Sequence, residues 1–133
     1  MSRRAQLDWL LEEFAEGTPG VVHGVVVSAD GLRMAASARV GVTLGDQLAA
    51  AASGLVSLAR GTSQLLAAGP VTQTILEMTG GYLFVTAIGH GAALAVFAER
   101  SCDMGLVGYE MTLLATRAGH ALTPALRPAA GGS

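Results

Sequence analysis

Residues Thr43 to Gly69, TLGDQLAAAASGLVSLARGTSQLLAAG, contain no internal proline and carry two stripes at helical spacing. Leu44, Leu48, Ala51, Leu55, Leu58, Thr62 and Leu65 recur in steps of four and three, which predicts a long α-helix that buries this face. Ala50, Gly54, Ser57 and Gly61 follow the same stepping on another face, where side chains this small let two helix backbones approach closely. A glycine inside a helix costs about 1 kcal/mol relative to alanine. Gly54 and Gly61 therefore reflect either the Ala- and Gly-rich composition or a close contact that returns the loss. A second copy of the same helix is the sharper of the two readings.

The 133 residues suit one domain with its own core, taken as residues 1–126, followed by a flexible tail over 127–133. With 51% hydrophobic and only 14% charged residues, the chain has few charges to cover a monomer's surface, so part of its apolar surface is predicted to lie against a partner. The net charge is −2, lysine is absent and the arginines are scattered, which argues against a nucleic-acid footprint. Cys102 is the single cysteine, so no internal disulfide forms and no metal-ligand spacing exists. Asp8, Glu12 and Glu13 follow Arg3 and Arg4 too closely for an apolar signal region. The least polar window, Gln47 to Ala59, ends at Arg60, short of the ~20 apolar residues that cross a bilayer. A cytoplasmic location is the expectation.

Outward from the long helix, Leu7, Leu10, Leu11 and Phe14 predict an amphipathic helix over Ala5 to Glu16, stopped by Gly17 and Pro19. Trp9 falls on its acidic side, as a rim residue or a partner contact. The β-branched run Val21 to Ser28, the Asp30-Gly31 turn and Leu32 to Ser37 read as a hairpin. Thr43 is the expected N-cap of the long helix, Asp46 its favourable first-turn charge, and Gly69-Pro70 its stop. Val71 to Thr79, Tyr82 to Ile88 and Ala92 to Ala98, joined by glycine turns, predict an antiparallel meander. The last two are apolar on both alternating faces, so the sheet should be covered on both sides. Asp103 caps a final helix expected over Met104 to Ala118, with Leu106, Val107, Tyr109, Met111, Leu113 and Leu114 in its apolar arc; the residues after Gly119 are expected to fray. The order is αββαβββα, an α+β fold with one five-stranded antiparallel sheet between helix layers.

Three stretches, GVVVSADGLRMAAS (Gly24 to Ser37), EMTGGYLFVTAIGHGAALAVFA (Glu77 to Ala98) and CDMGLVGYEM (Cys102 to Met111), resemble the Roadblock / dynein light-chain family, and within it the small bacterial members that act beside Ras-like GTPases. The resemblance runs from about Leu7 to about Arg127, and its motifs are structural phrases rather than catalytic ones. It implies a profilin/Roadblock-like homodimer in which the long helices pack together and the third strand pairs with its copy. The dimer-interface residues on this reading are Ala50, Gly54, Ser57 and Gly61 with Gln73, Ile75 and Glu77.

No catalytic constellation stands out. Of the histidines His23, His90 and His120, His90 can be drawn with Ser101 and Asp103 as a triad, but nothing in the spacing raises it above chance, and a structural or solvent role is expected for it. A chain without lysine cannot supply a phosphate-loop lysine. No metal and no cofactor is called for. Asp46, Ser53, Arg60 and Gln64 lie on one helix flank and are the GTPase-facing candidates. Arg60 is the candidate arginine finger, with Arg33 and Arg39 behind it; the competing roles for Arg60 are a solubilising charge or an interface ion pair. The expected function is a non-enzymatic homodimeric regulator or scaffold for a bacterial Ras-like small GTPase. A small-ligand sensor and a nucleotide-independent scaffold in a signalling complex beside a sensor kinase are the alternatives.

Overall fold

The computed structural model describes residues 2–89 and 91–126, so His90 and the tail expected over 127–133 lie outside the described residues. The elements follow the order α1 (Arg3–Gly17), β1 (Val21–Val27), β2 (Arg33–Ala36), α2 (Val42–Leu66), β3 (Thr74–Met78), β4 (Gly81–Gly89), β5 (Ala92–Ala98) and α3 (Met104–Leu126). The five strands form one antiparallel sheet in the order β2-β1-β5-β4-β3, so β3, β4 and β5 make the expected meander and β2 and β3 are its edges.

Successive strand residues point to opposite faces, and here both sets are apolar. Val26, Phe84, Leu94 and Val96 meet Leu7, Leu10, Leu11 and Phe14 of α1 and Val107, Met111 and Leu114 of α3. Val25, Val27, Leu83, Val85, Ala93 and Ala95 meet Ala49 and Ala52 of α2. One layer of helix therefore lies on each face, with two helices on one side and α2 alone on the other. Gly20 joins α1 to β1 at φ 89°, and a Cβ there would sit 2.6 Å from the Cβ of Cys102, so only glycine fits.

Several boundaries differ from the sequence reading. Gly41, at φ 76°, is the N-cap of α2 and offers no side-chain bond; Thr43 lies inside the helix. Asp46 is consequently beyond the first turn, and its carboxylate instead pairs with Arg33 of β2 at 3.0 Å. The helix ends on left-handed Ala67 (φ 51°) before Gly69 is reached, with the N–H groups of Ala67 and Ala68 donating to the carbonyls of Gln64 and Ser63. Strand β3 is shorter than Val71 to Thr79 because only Thr74 to Met78 finds partners, on β4.

The largest departure is α3, which continues past Gly119 to Leu126. Ala118 and Leu122 extend the buried stripe of Val107, Met111 and Leu114 and are themselves buried, so tertiary packing carries the helix through a glycine that propensity would make its end. By length and composition α2 is apolar enough to cross a membrane; in this fold its apolar residues are shared between the sheet and an outer face.

If residues beyond Gly119 were a frayed tail, Leu122 could be truncated freely. We expect Leu122→Ala to cost about 2–4 kcal/mol of unfolding free energy, the usual range for emptying a buried leucine site, as read by denaturant titration.

Candidate docking face

The side of α2 that meets the sheet is not the leucine stripe. Gly45, Ala49 and Ala52 are buried against it, with Leu48, Leu55 and Val56 partly buried alongside. Small residues are needed there because the strands below present valine and leucine, and a helix crossing them closely has little room for more. Gly45 is closed off by other neighbours: a Cβ there would lie 2.7 Å from Cδ of Arg33 and 3.3 Å from Cγ1 of Val40. The predicted buried stripe is therefore corrected. Leu48 and Leu55 border the core, while Leu44 is exposed, Leu58 is 70% exposed and Leu65 is 85% exposed.

Beside this leucine ridge run Ala50, Gly54, Ser57 and Gly61, all exposed. A Cβ on Gly54 or Gly61 would meet no atom within 4 Å, so nothing inside the folded chain requires glycine at either position. Next around the helix is the polar flank. Asp46 is exposed but engaged by Arg33, Ser53 is half-buried with its Oγ 3.4 Å from where a Gly31 Cβ would stand, and Arg60 and Gln64 are exposed. Ser53, Ser57 and Arg60 face Ser28, Ala29 and Gly91 across a narrow cleft. Among the described residues the arginines in ion pairs are Arg33, Arg100 and Arg117; Arg60 is not one of them. Arg33, half-buried and bound to Asp46, is withdrawn as a finger candidate. Arg39 is exposed.

Strand β3 presents its outer edge with no neighbouring strand among the described residues. Its side chains divide between the two faces. Ile75 and Glu77 are opposite Phe84 and Tyr82, which belong to the core under α1 and α3, and Gln73 approaches α3, within 3.8 Å of where a Gly108 Cβ would be. Leu76 is opposite Leu83 on the α2 side. The structure thus brings Ala50, Gly54, Ser57 and Gly61 together on one face and puts Gln73, Ile75 and Glu77 on the other, with the β3 backbone as their common border. Glu77 also accepts a 2.7 Å bond from Arg100, whose guanidinium lies 5.0 Å from the centre of the Tyr82 ring. Leu76, exposed and on the same side as the leucine ridge, was not singled out from the sequence; its alternation in a terminal strand of the meander was the available signal.

A groove of about 490 Å³ separates the C-terminal half of α2 from β3 and β4, lined by Val56, Arg60, Gln64, Thr72, Thr74 and Val85 among others. The drawn triad depends on His90, which lies outside the described residues; of its other members, Asp103 accepts the N–H of Leu106 on Oδ1 at 3.1 Å as a helix cap. Burial, and then the nearby Asp103, raise the pKa of the Cys102 thiol, which works against thiolate chemistry. No cluster of metal-ligating side chains occurs among the described residues.

Geometry and sequence now define the class. The family profile described as Roadblock/LC7 domain matches residues 7–98, and the chain belongs to the Roadblock/LC7 family. A Roadblock/LC7 domain from Streptomyces avermitilis is 34% identical, with a TM-score of 0.80 over 90% of this chain and 96% of that one. The fold is also that of MglB from Myxococcus xanthus, at 16% identity and TM-score 0.76 over 92% of this chain and 88% of that one. The gliding protein MglB from Thermus thermophilus gives 17% identity and TM-score 0.79 over 91% of each chain. No match is found among curated proteins.

His23 stands at the rim of the α2 side, stacked on Phe97 at 6.3 Å, with a buried Nδ1 that has no hydrogen-bond partner. Burial, and secondarily the charge of Arg39, lower its pKa from 6.5. The unfolded chain therefore binds more protons than the folded one below about pH 6.5, and stability falls as pH drops through that window. We expect the melting temperature to decline on acidification from pH 7 to 5, with a shallower slope in His23→Phe.

Proposed function

We propose that the chain is a cytoplasmic, non-enzymatic homodimeric regulator or scaffold that binds a Ras-like small GTPase and modulates its nucleotide cycle or its location. The observation that carries the reading is the continuity of one unpartnered surface: the leucine ridge of α2, the crest of Gly54 and Gly61, and the open edge of β3. Two copies related by a two-fold axis would cover it at once, α2 against α2 and β3 beside β3, with Gln73, Ile75 and Glu77 flanking the seam. The glycines then have a physical purpose, since their absent side chains set how closely the helices approach. An edge strand bearing exposed Ile75, Leu76 and Met78 would otherwise invite uncontrolled pairing.

On this reading the polar flank of Ser53, Arg60 and Gln64 remains accessible beside the seam and meets the GTPase. Membership of the family, and the likeness of the residues quoted above to its bacterial GTPase-associated members, support that partner. A flat, weakly charged surface, on which Arg60 forms no ion pair among the described residues, suits a protein better than a metabolite. The regulator needs no finger to act, because holding a partner's switch segments in one arrangement also changes its nucleotide cycle. The groove beside Arg60 favours a second reading, a small-ligand sensor; a metabolite that raises the melting temperature in the absence of any GTPase binding would support it.

Three measurements test these statements. Gly54→Leu should raise helix propensity by several tenths of a kcal/mol and fill open space in the isolated chain, yet yield monomer or aggregate by light scattering; an unchanged dimer removes the close contact. Arg60→Ala should abolish stimulated GTP hydrolysis if its guanidinium acts in trans, and retained stimulation excludes that role. In a binding titration against the small GTPase encoded nearby, affinities for the GDP and GTP-analogue forms should differ by more than about tenfold, or about 1.4 kcal/mol of coupling. Equal affinities mean a scaffold, and no binding in either state defeats the GTPase reading.

A further inference from the structure

The sheet has two edges, and the chain treats them differently. Strand β2 pairs with β1 through Val26↔Ala35 and Val25↔Ala36, and the N–H of Ser37 donates to the carbonyl of Gly24 at 2.8 Å. Donors along an antiparallel strand alternate between the partner and the free side, so in β2 the N–H groups of Met34 and Ala36 point off the edge, and Ala38 follows in the turn just beyond the strand. Asp8 and Glu12 of α1 reach Ala36 and Ala38. α1 thus takes the last edge donor of β2 and the first donor of its turn. Asp8 accepts from Ala36 at 3.1 Å and Glu12 from Ala38 at 2.7 Å.

The two carboxylates are spaced one helical turn apart on one flank of α1, and the helix that carries them is fixed by buried Leu7 and Leu11. Ionised acceptors make the stronger kind of hydrogen bond. Asp8 occupies one of the donors that an incoming strand would need, Glu12 holds the turn that ends the strand, and together they set two negative charges where that strand's carbonyl oxygens would have to approach. The opposite edge, β3, has no such cover on its outer backbone among the described residues.

We infer that Asp8 and Glu12 are a stop that closes the β2 edge and confines sheet extension by a second copy to β3. The inference rests on the β3 seam proposed above. If both edges could self-pair, β3 to β3 and then β2 to β2, the alternation would not close and the chain would grow into an open series. With β2 stopped, assembly ends at two copies.

The test compares wild type with Asp8→Ala/Glu12→Ala by sedimentation velocity over a concentration series, alongside amide exchange at Ala36 and Ala38 and circular dichroism to verify the native fold. Wild type should stay at one mass. The double variant should climb to at least about twice that mass, one added association for each freed edge. Adding Ala36→Pro, which deletes the edge donor where proline is tolerated, should return the mass to that of wild type. The stop is overturned if the natively folded variant keeps the wild-type mass while the two amides exchange freely, or if its growth survives Ala36→Pro. Should the double variant lose the native spectrum, Asp8→Ser and Glu12→Ser each release one donor and are read the same way. A monomeric wild type would defeat the β3 seam alone, because a variant that then gains a dimer still supports the stop.

Discussion

Everything in this fold depends on the close crossing of α2 over a sheet that is apolar on both sides. Val25, Val27, Leu83 and Val85 supply bulk from the sheet, so the helix must supply its absence, and it does so with Ala49 and Ala52. Interiors are packed about as densely as organic crystals. Large residues can stand on only one side of such a contact. Leu44, Leu58 and Leu65 are consequently turned away from the core, which Leu48 and Leu55 only border.

That displacement links packing to function. A single helix cannot bury a wide apolar arc against one flat sheet, and the remainder, Leu44, Leu58 and Leu65, is left facing outward next to an uncapped strand edge. On the α1 and α3 side two helices share the cover and α3 runs long enough to bury Leu122. Leu106, Tyr109 and Leu113, expected in the apolar arc of α3, stay exposed because only the stripe through Val107, Met111 and Leu114 meets the sheet and α1. The exposed apolar surface that adjoins an open strand edge is therefore the one around α2 and β3.

Charge is used sparingly and mostly for joining elements. Arg33 with Asp46 fastens β2 to α2, Arg117 with Glu13 bridges α3 and α1 at 3.2 Å, and Arg100 ties the β5 end to Glu77 of β3. Each is exposed enough to contribute little stability by itself; what these pairs fix is orientation. Asp8 and Glu12 follow the same pattern, setting charge against backbone donors at an edge.

The sequence by itself determined the elements, their order, the antiparallel meander and the two-sided cover of the sheet, because turn glycines and alternation in strands are local signals. Asp103 as a helix cap was equally legible. It did not determine which arc of α2 would be buried: leucine periodicity marks an apolar face without saying whether the sheet or another molecule covers it. Nor did it reveal that α3 passes Gly119, or that Asp46 would be claimed by Arg33, thirteen residues away. Those outcomes were decided by tertiary structure, since each depends on how much room one element leaves for another, and that distance is set only when helix and sheet are packed together.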